Sequence, residues 1–311
     1  MRILFLSLAA ALGTTSAFGW GCEGHQMIAL MARQQLKPAA SAAVDKLLKE
    51  NPISPALNRF CKDRPADIMA DLSTWADDAR NGEKTSAWHF VDIPMTVTKI
   101  PASGKNLDQW CPTDGGKDGS GCVTRAIHEQ WQVLKDKTRT GEERARALRY
   151  VIHFVEDTHQ PLHDSDNMDQ GGNCTVIGYF QEPKPSNLHA IWDYKMLQTD
   201  MERKKLNQAS YVAAISAEFA GRRSKWAKEK TDPESWAWEG HAMATRLTYG
   251  LLKPQIPVEQ PGETNCDAEK AKVAALHLSI GDDYVNRSLP AVREQLAHAA
   301  ARLANLLNQT F

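Results

Sequence analysis

Two histidine–aspartate pairs with the same spacing set the strongest constraint on this chain. His153 and Asp157 lie in Tyr150-Val-Ile-His-Phe-Val-Glu-Asp157, and His189 and Asp193 in Asn187-Leu-His-Ala-Ile-Trp-Asp193. On a helix that spacing puts both side chains on one face, one turn apart. Imidazole plus carboxylate is a zinc-type ligand set. A single pair is common on ordinary helices. Two pairs, joined by His163, His25 and the Trp88-His89 stretch, would leave several apolar helix faces carrying unpaired polar groups, which is costly. We therefore read them as parts of one shared metal centre.

The rest of the chain is patterned as helix. Residues 25–50 show apolar spacing of three and four, with a break at Lys37-Pro38. A helix is expected over 65–80, with Pro65 in its first turn. Met95 to Ser120 reads as a polar loop. Helices follow over 123–137 and 142–160, the second ending before Pro161. Thr175 to Phe180 reads as a short irregular or β segment. Helices are then expected over 187–200, 208–230, 234–252 and 267–308, the last broken near Pro290. No repeat and no forced boundary stands out, so the pattern predicts a single all-α, mostly helical domain.

Residues 1–19 read as an export signal: Arg2, an apolar run from Ile3 to Leu12, and small residues at Ala17 and Gly19. The run is too short to span a membrane. Cleavage after Gly19 would leave Trp20 as the first residue of a 20–311 catalytic domain and expose its α-amine. Six cysteines in an exported chain imply disulfides. Cys111 and Cys122 flank a Gly-rich loop and form the most credible pair. Spacing does not fix the pairing of Cys22, Cys61, Cys174 and Cys266; we favour 22–61 and 174–266. The formal net charge is −1, which gives no broad electrostatic footprint for nucleic acid. Any attraction for phosphate must be local, such as bound cations would supply.

Taken together, Trp20 with Gly24-His25, Trp75-Ala-Asp77, Trp88-His89, His153-x3-Asp157-x5-His163 and His189-x3-Asp193 resemble the S1/P1 nuclease family, related in fold to zinc-dependent phospholipase C. The resemblance spans essentially all of 20–311. It implies a helical domain with a trinuclear zinc cleft. Asp77, His89, His153 and Asp157 would hold one Zn²⁺. Trp20, through its amine and carbonyl, would hold a second with His25 and a bridging Asp157. His163, His189 and Asp193 would hold the third. The implied chemistry is metal-assisted hydrolysis of single-stranded DNA and RNA to 5′-phosphates, with 3′-nucleotides as further substrates. Asp77 and Arg80 would be catalytic, while Phe90, Asp92 and Asn173 would bind a base. No protein partner is implied, and the enzyme is expected to be monomeric and periplasmic or secreted. The competing readings are a phospholipase C, whose last third-zinc ligand is glutamate where this chain has Asp193, and a zinc-binding protein without turnover. Tyr194, following Asp193, departs from the smaller residue of many relatives.

Overall fold

A computed structural model describes residues 20–112, 121–253 and 255–311. The expected export signal and most of the Gly-rich loop between Cys111 and Cys122 lie outside these. Among the described residues the order is α1 (Cys22–Arg33), α2 (Pro38–Glu50), α3 (Ile68–Asp71), α4 (Trp75–Glu83), α5 (Val123–Lys135), α6 (Gly141–Asp157), α7 (Leu188–Ala190), α8 (Met196–Lys204), α9 (Gln208–Glu218), α10 (Arg223–Trp226), α11 (Pro233–Met243), α12 (Cys266–Ala274) and α13 (Asp282–Thr310). No helix there is long and apolar enough to cross a membrane.

The core is built on α6 and α13. From Ala147 to Asp157 every α6 residue is buried, and α13 buries most of its length between α1 and α6. A helix buried all round must carry its polar groups inward, and α6 does so with His153, Glu156 and Asp157. Its start is fixed by a capping box, in which Glu143 N donates to Thr140 Oγ1 (3.2 Å) and Thr140 N to Glu143 Oε2 (2.9 Å).

Two local expectations are corrected. The helix expected over 65–80 is two helices, because Asp67 caps α3 by accepting from Met69 N and Ala70 N and the chain breaks at Leu72–Thr74. That break leaves Ser73 O to accept from His153 Nδ1 at 2.7 Å. The helix expected over 267–308 breaks at 275–281 rather than at Pro290. Proline removes one backbone donor, but buried Ser288, Leu289 and Val292 hold α13 continuous through it. The 275–281 interruption holds strand β3 (Ser279–Ile280), parallel to β1 (Val176–Tyr179), which pairs antiparallel with β2 (Ser186–Asn187). The domain is thus mostly helical, as expected, with one small sheet that includes the short β segment expected at Thr175 to Phe180.

Three disulfides, Cys22–Cys61, Cys111–Cys122 and Cys174–Cys266, tie α1, the loop before α5 and the N-terminus of α12 into place, with the favoured pairing.

Candidate metal centre

The structure draws residues from five separate parts of the chain into one buried cluster. Asp157, at the end of α6, sits at its middle. Its Oδ2 lies 3.0 Å from His89 Nδ1 and 3.1 Å from His153 Nε2. Its Oδ1 turns the other way, 3.6 Å from His25 Nε2. Asp77, in the first turn of α4, places Oδ1 3.7 Å from His153 Nε2 and 3.8 Å from His89 Nδ1. His25 and His153 stack with centroids 4.2 Å apart. A second group lies alongside: His163 Nε2 is 3.2 Å from His189 Nε2, which is 3.4 Å from Asp193 Oδ2.

The stretch from Trp20 to Gly24 is pinned to the same place. Gly21 N donates to Asp193 O at 3.2 Å. Trp20 is fully buried, and a Cβ on Gly24 would stand 2.7 Å from Trp20 Cβ. The glycine after Glu23 therefore lets Trp20 lie against the first turn of α1, beside His25.

Imidazole orientations show which lone pairs are available. His153 Nδ1 faces Ser73 O, His163 Nδ1 faces His89 O at 2.7 Å, and His189 Nδ1 faces Gly171 O at 2.6 Å. A carbonyl only accepts, so each Nδ1 must carry the proton. In the neutral ring each Nε2 is then an acceptor, and the His163 and His189 lone pairs point at each other. Such a pair is repulsive unless a cation lies between. Both Asp77 oxygens, Asp157 Oδ1 and His25 Nε2 are buried without a hydrogen-bond partner. Orphaned acceptors and converging lone pairs are the donor set a divalent metal requires. Three groups of metal-binding type occur here: His25 with Asp77 and His153, His89 with His153 and Asp157, and His163 with His189 and Asp193.

Burial and mutual charge set the protonation of the cluster. Burial raises Asp77 to about 7, with His153 opposing. His89 is lowered by burial to about 4. Burial also works against charge on His153, but Asp157 and Asp77 outweigh it and raise His153 to about 9. Burial pushes Asp193 well up, against the hydrogen bond from Gln160.

Supporting groups absent from the sequence reading also appear. Glu156 is fully buried, and its Oε2 accepts from His25 Nδ1 at 2.7 Å. Carboxylates behind ligating histidines fix tautomer and raise basicity. Gln160 Nε2 donates to Asp193 Oδ1 at 2.6 Å. Gly171, at φ +57°, supplies the carbonyl for His189. Glu156, beside Asp157, carried a local signal as an acid on an otherwise apolar helix; the others are long-range and had none.

Two cavities open on the cluster. One, about 540 Å³, is walled by Arg80, Phe90, Asp92, Gln170, His163 and His189. Phe90 is half-buried and stands outside the hydrophobic core, and burial with nearby Asp166 and Asp169 raises Asp92 to about 8. Arg80 Nη1 lies 3.9 Å from Asp77 Oδ1. The other, about 850 Å³, is walled by Asp193, Tyr194 and Asn173. Asn173 Nδ2 donates to Gln170 O at 2.8 Å, which places it between the two cavities. The other histidines lie elsewhere. His159 accepts from Arg302 Nη1 (3.0 Å), His128 and His298 pair with Glu234 and Glu229, and His241 with Ser165.

The S1/P1 nuclease sequence profile matches residues 20–311. The chain belongs to the S1/P1 nuclease family. Nuclease S1 of Aspergillus oryzae is 26% identical across 99% of this chain and 97% of its own length. Endonuclease 2 of Arabidopsis thaliana is 28% identical across 94% and 91%, and Nuclease P1 of Penicillium citrinum 26% across 93% and 97%. As an S1/P1 nuclease the chain is a hydrolase, zinc dependence is the property of its family, and the His/Asp clusters are of the type that holds metal.

Proposed function

We propose that this S1/P1 nuclease is a three-zinc endonuclease that cuts single-stranded DNA and RNA to 5′-phosphate products and also removes 3′-phosphates from nucleotides. The observation that carries it is the divided carboxylate of Asp157, with one oxygen toward His89 and His153 and the other toward His25. Asp77, His89, His153 and Asp157 hold one zinc. Trp20, His25 and Asp157 hold the second, once removal of residues 1–19 frees the Trp20 amine. His163, His189 and Asp193 hold the third. When bound, zinc activates water near neutral pH and offsets charge on phosphoryl oxygens.

The chain's own groups do the rest. Arg80 lies in the wall of the smaller cavity and neutralises charge growing on the phosphoryl oxygens. Asp77 orients the attacking water. Phe90 stacks an unpaired base, which tolerates any base identity. Asp92 hydrogen-bonds the base edge. The Phe90/Asp92 pair suits a flat, hydrogen-bonding base. Three disulfides agree with action in an oxidising compartment, periplasmic or extracellular.

The test is cleavage of matched single-stranded and duplex DNA with the product ends sequenced. Faster cutting of the single strand and 5′-phosphate ends are expected. Products ending in 3′-phosphate, or equal rates on both substrates, would reject the reading.

A further inference from the structure

His163, His189 and Asp193 stand on separate segments of the chain, and one stretch, residues 241–249, reaches all three segments. It is the end of α11 followed by a π-helical turn, Ala244–Thr248, closed by Tyr249 N donating to Ala244 O at 3.0 Å. Such turns are frequent at functional sites, yet this one carries no metal ligand.

The His163 segment is held by α11 itself. The helix packs on the turn Pro161–His163. Gly240 permits the approach, since a Cβ there would run into Asp164 Oδ2. His241 Nε2 donates to Val97 O, so its Nδ1 accepts from Ser165 Oγ at 2.7 Å.

The support of His189 hangs on Tyr249. His189 Nδ1 donates to Gly171 O, and Gly171 lies in a loop that two carboxylates organise. Asp166 Oδ1 accepts from Gly171 N at 3.0 Å and Asp169 Oδ1 from Gly172 N at 2.9 Å. Tyr249 OH donates to that same Asp169 oxygen at 2.7 Å. Both partners are buried, where water does not compete for the bond. The support of Asp193 hangs on the residue before it. Trp192 lies in a second π-helical turn, Ile191–Lys195. Its Nε1 donates to Tyr284 OH (2.8 Å), and Tyr284 OH donates to Thr248 O (2.9 Å). Thr248 and Tyr249 are neighbours, so the supports of His189 and Asp193 meet at one point of the backbone.

We propose that residues 241–249 brace the third zinc site, with Tyr249 and Tyr284 as positioning residues whose hydroxyls fix His189 and Asp193 relative to His163 without touching the metal. The proposal rests on the three-zinc reading and extends it to residues outside the ligand set. It gives the third zinc a support of its own, because His153 and His25 are held elsewhere, by Ser73 O and Glu156 Oε2.

The test titrates zinc from the loaded protein with a chromogenic chelator, counting the ions released, in wild type, Tyr249→Phe, Tyr284→Phe and Tyr211→Phe. Tyr211 is the control: it is buried and its OH also donates to a carboxylate, Asp200 Oδ2, at 2.6 Å, but that pair supports no ligand. Tyr249→Phe and Tyr284→Phe hold one zinc about tenfold more weakly, keep the other two at wild-type affinity, and cut single-stranded DNA with a lower kcat. Tyr211→Phe keeps all three zincs, whatever its Tm. Tyr284→Phe carries the test should Tyr249→Phe fail to fold. Wild-type affinity for all three zincs in both brace variants overturns the brace and leaves the three-zinc reading standing. Equal weakening of all three ions, or the same loss in Tyr211→Phe, marks general destabilisation and also overturns the brace. A wild type that holds fewer than three zincs overturns both.

Discussion

Gly171→Ala tests how the centre is held. Gly171 has φ +57°, and an added Cβ would stand 2.4 Å from Leu162 O. Real Cβ contacts are essentially never under 3.0 Å, so the two backbone segments must part by about 0.6 Å, as the close packing leaves no other room. The left-handed conformation itself costs alanine roughly 1–2 kcal/mol. Gly171 O is the partner of His189 Nδ1, so both effects act on one metal ligand. Misplacement on this scale at a reacting centre costs up to about 100-fold in rate, and loss of a ligand's hydrogen-bond partner about 10–100-fold in metal affinity or activity. We expect Gly171→Ala to bind one zinc about 10–100-fold more weakly by chelator competition. Its kcat/KM on single-stranded DNA should fall by a similar factor, with a lower Tm. Gly82→Ala is the control: a Cβ there meets nothing within 4 Å, and helix α4 should gain up to about 1 kcal/mol. Wild-type zinc affinity and rate in Gly171→Ala would refute the reasoning.

Asp157→Asn should keep most of the packing but lose the divided charge. Zinc content and turnover should both collapse, and wild-type turnover with full zinc would remove Asp157 from the bridging role. Phe90→Ala should raise KM, losing roughly 1–3 kcal/mol of stacking, whereas Arg80→Ala should lower kcat; the reverse pattern in steady-state kinetics would exchange their roles. Zinc binding to the metal-free protein at pH 7 should release at least about one proton, since His153 is raised to about 9 and Asp77 to about 7. The sign follows. In metal-free protein the raised His153 adds stability that is full below its unfolded value near 6.5 and is lost as pH rises through about 9. Zinc competes with that proton, so zinc affinity should rise with pH across the same window. Calorimetry in two buffers of different ionisation heat measures the release, and identical heats would contradict it.

The sequence patterns that survived contact with the structure were local. His153 and Asp157 share a face of α6 because one helical turn separates them, and the helical run around them, ending before Pro161, was readable. His189 and Asp193 fared less simply, since the π-helical turn at Ile191–Lys195 shifts the phase of that helix and presents Asp193 and Tyr194 to one cavity. Pro65 misled because the cap belongs to Asp67, a side-chain hydrogen bond that composition does not announce. Pro290 misled because buried contacts along α13 hold it helical despite the missing donor. The sheet was half legible: β1 could be seen in Thr175 to Phe180, but β3 lies about a hundred residues on and pairing at that range leaves no local trace. The same reason hid Ser73, Gln160 and Gly171 as supports of the ligands.

The central claim is that these residues hold three zinc ions around Asp157 and the His163–His189–Asp193 group. Anomalous diffraction from a crystal of the processed, zinc-loaded protein, recorded on both sides of the zinc edge, measures this directly. The account predicts three peaks: two flanking the Asp157 carboxylate and one among His163, His189 and Asp193, each about 2.0–2.2 Å from its nitrogen and oxygen ligands. A fully active protein with no peak beside Asp157, or with His163, His189 and Asp193 bare of metal, would contradict it.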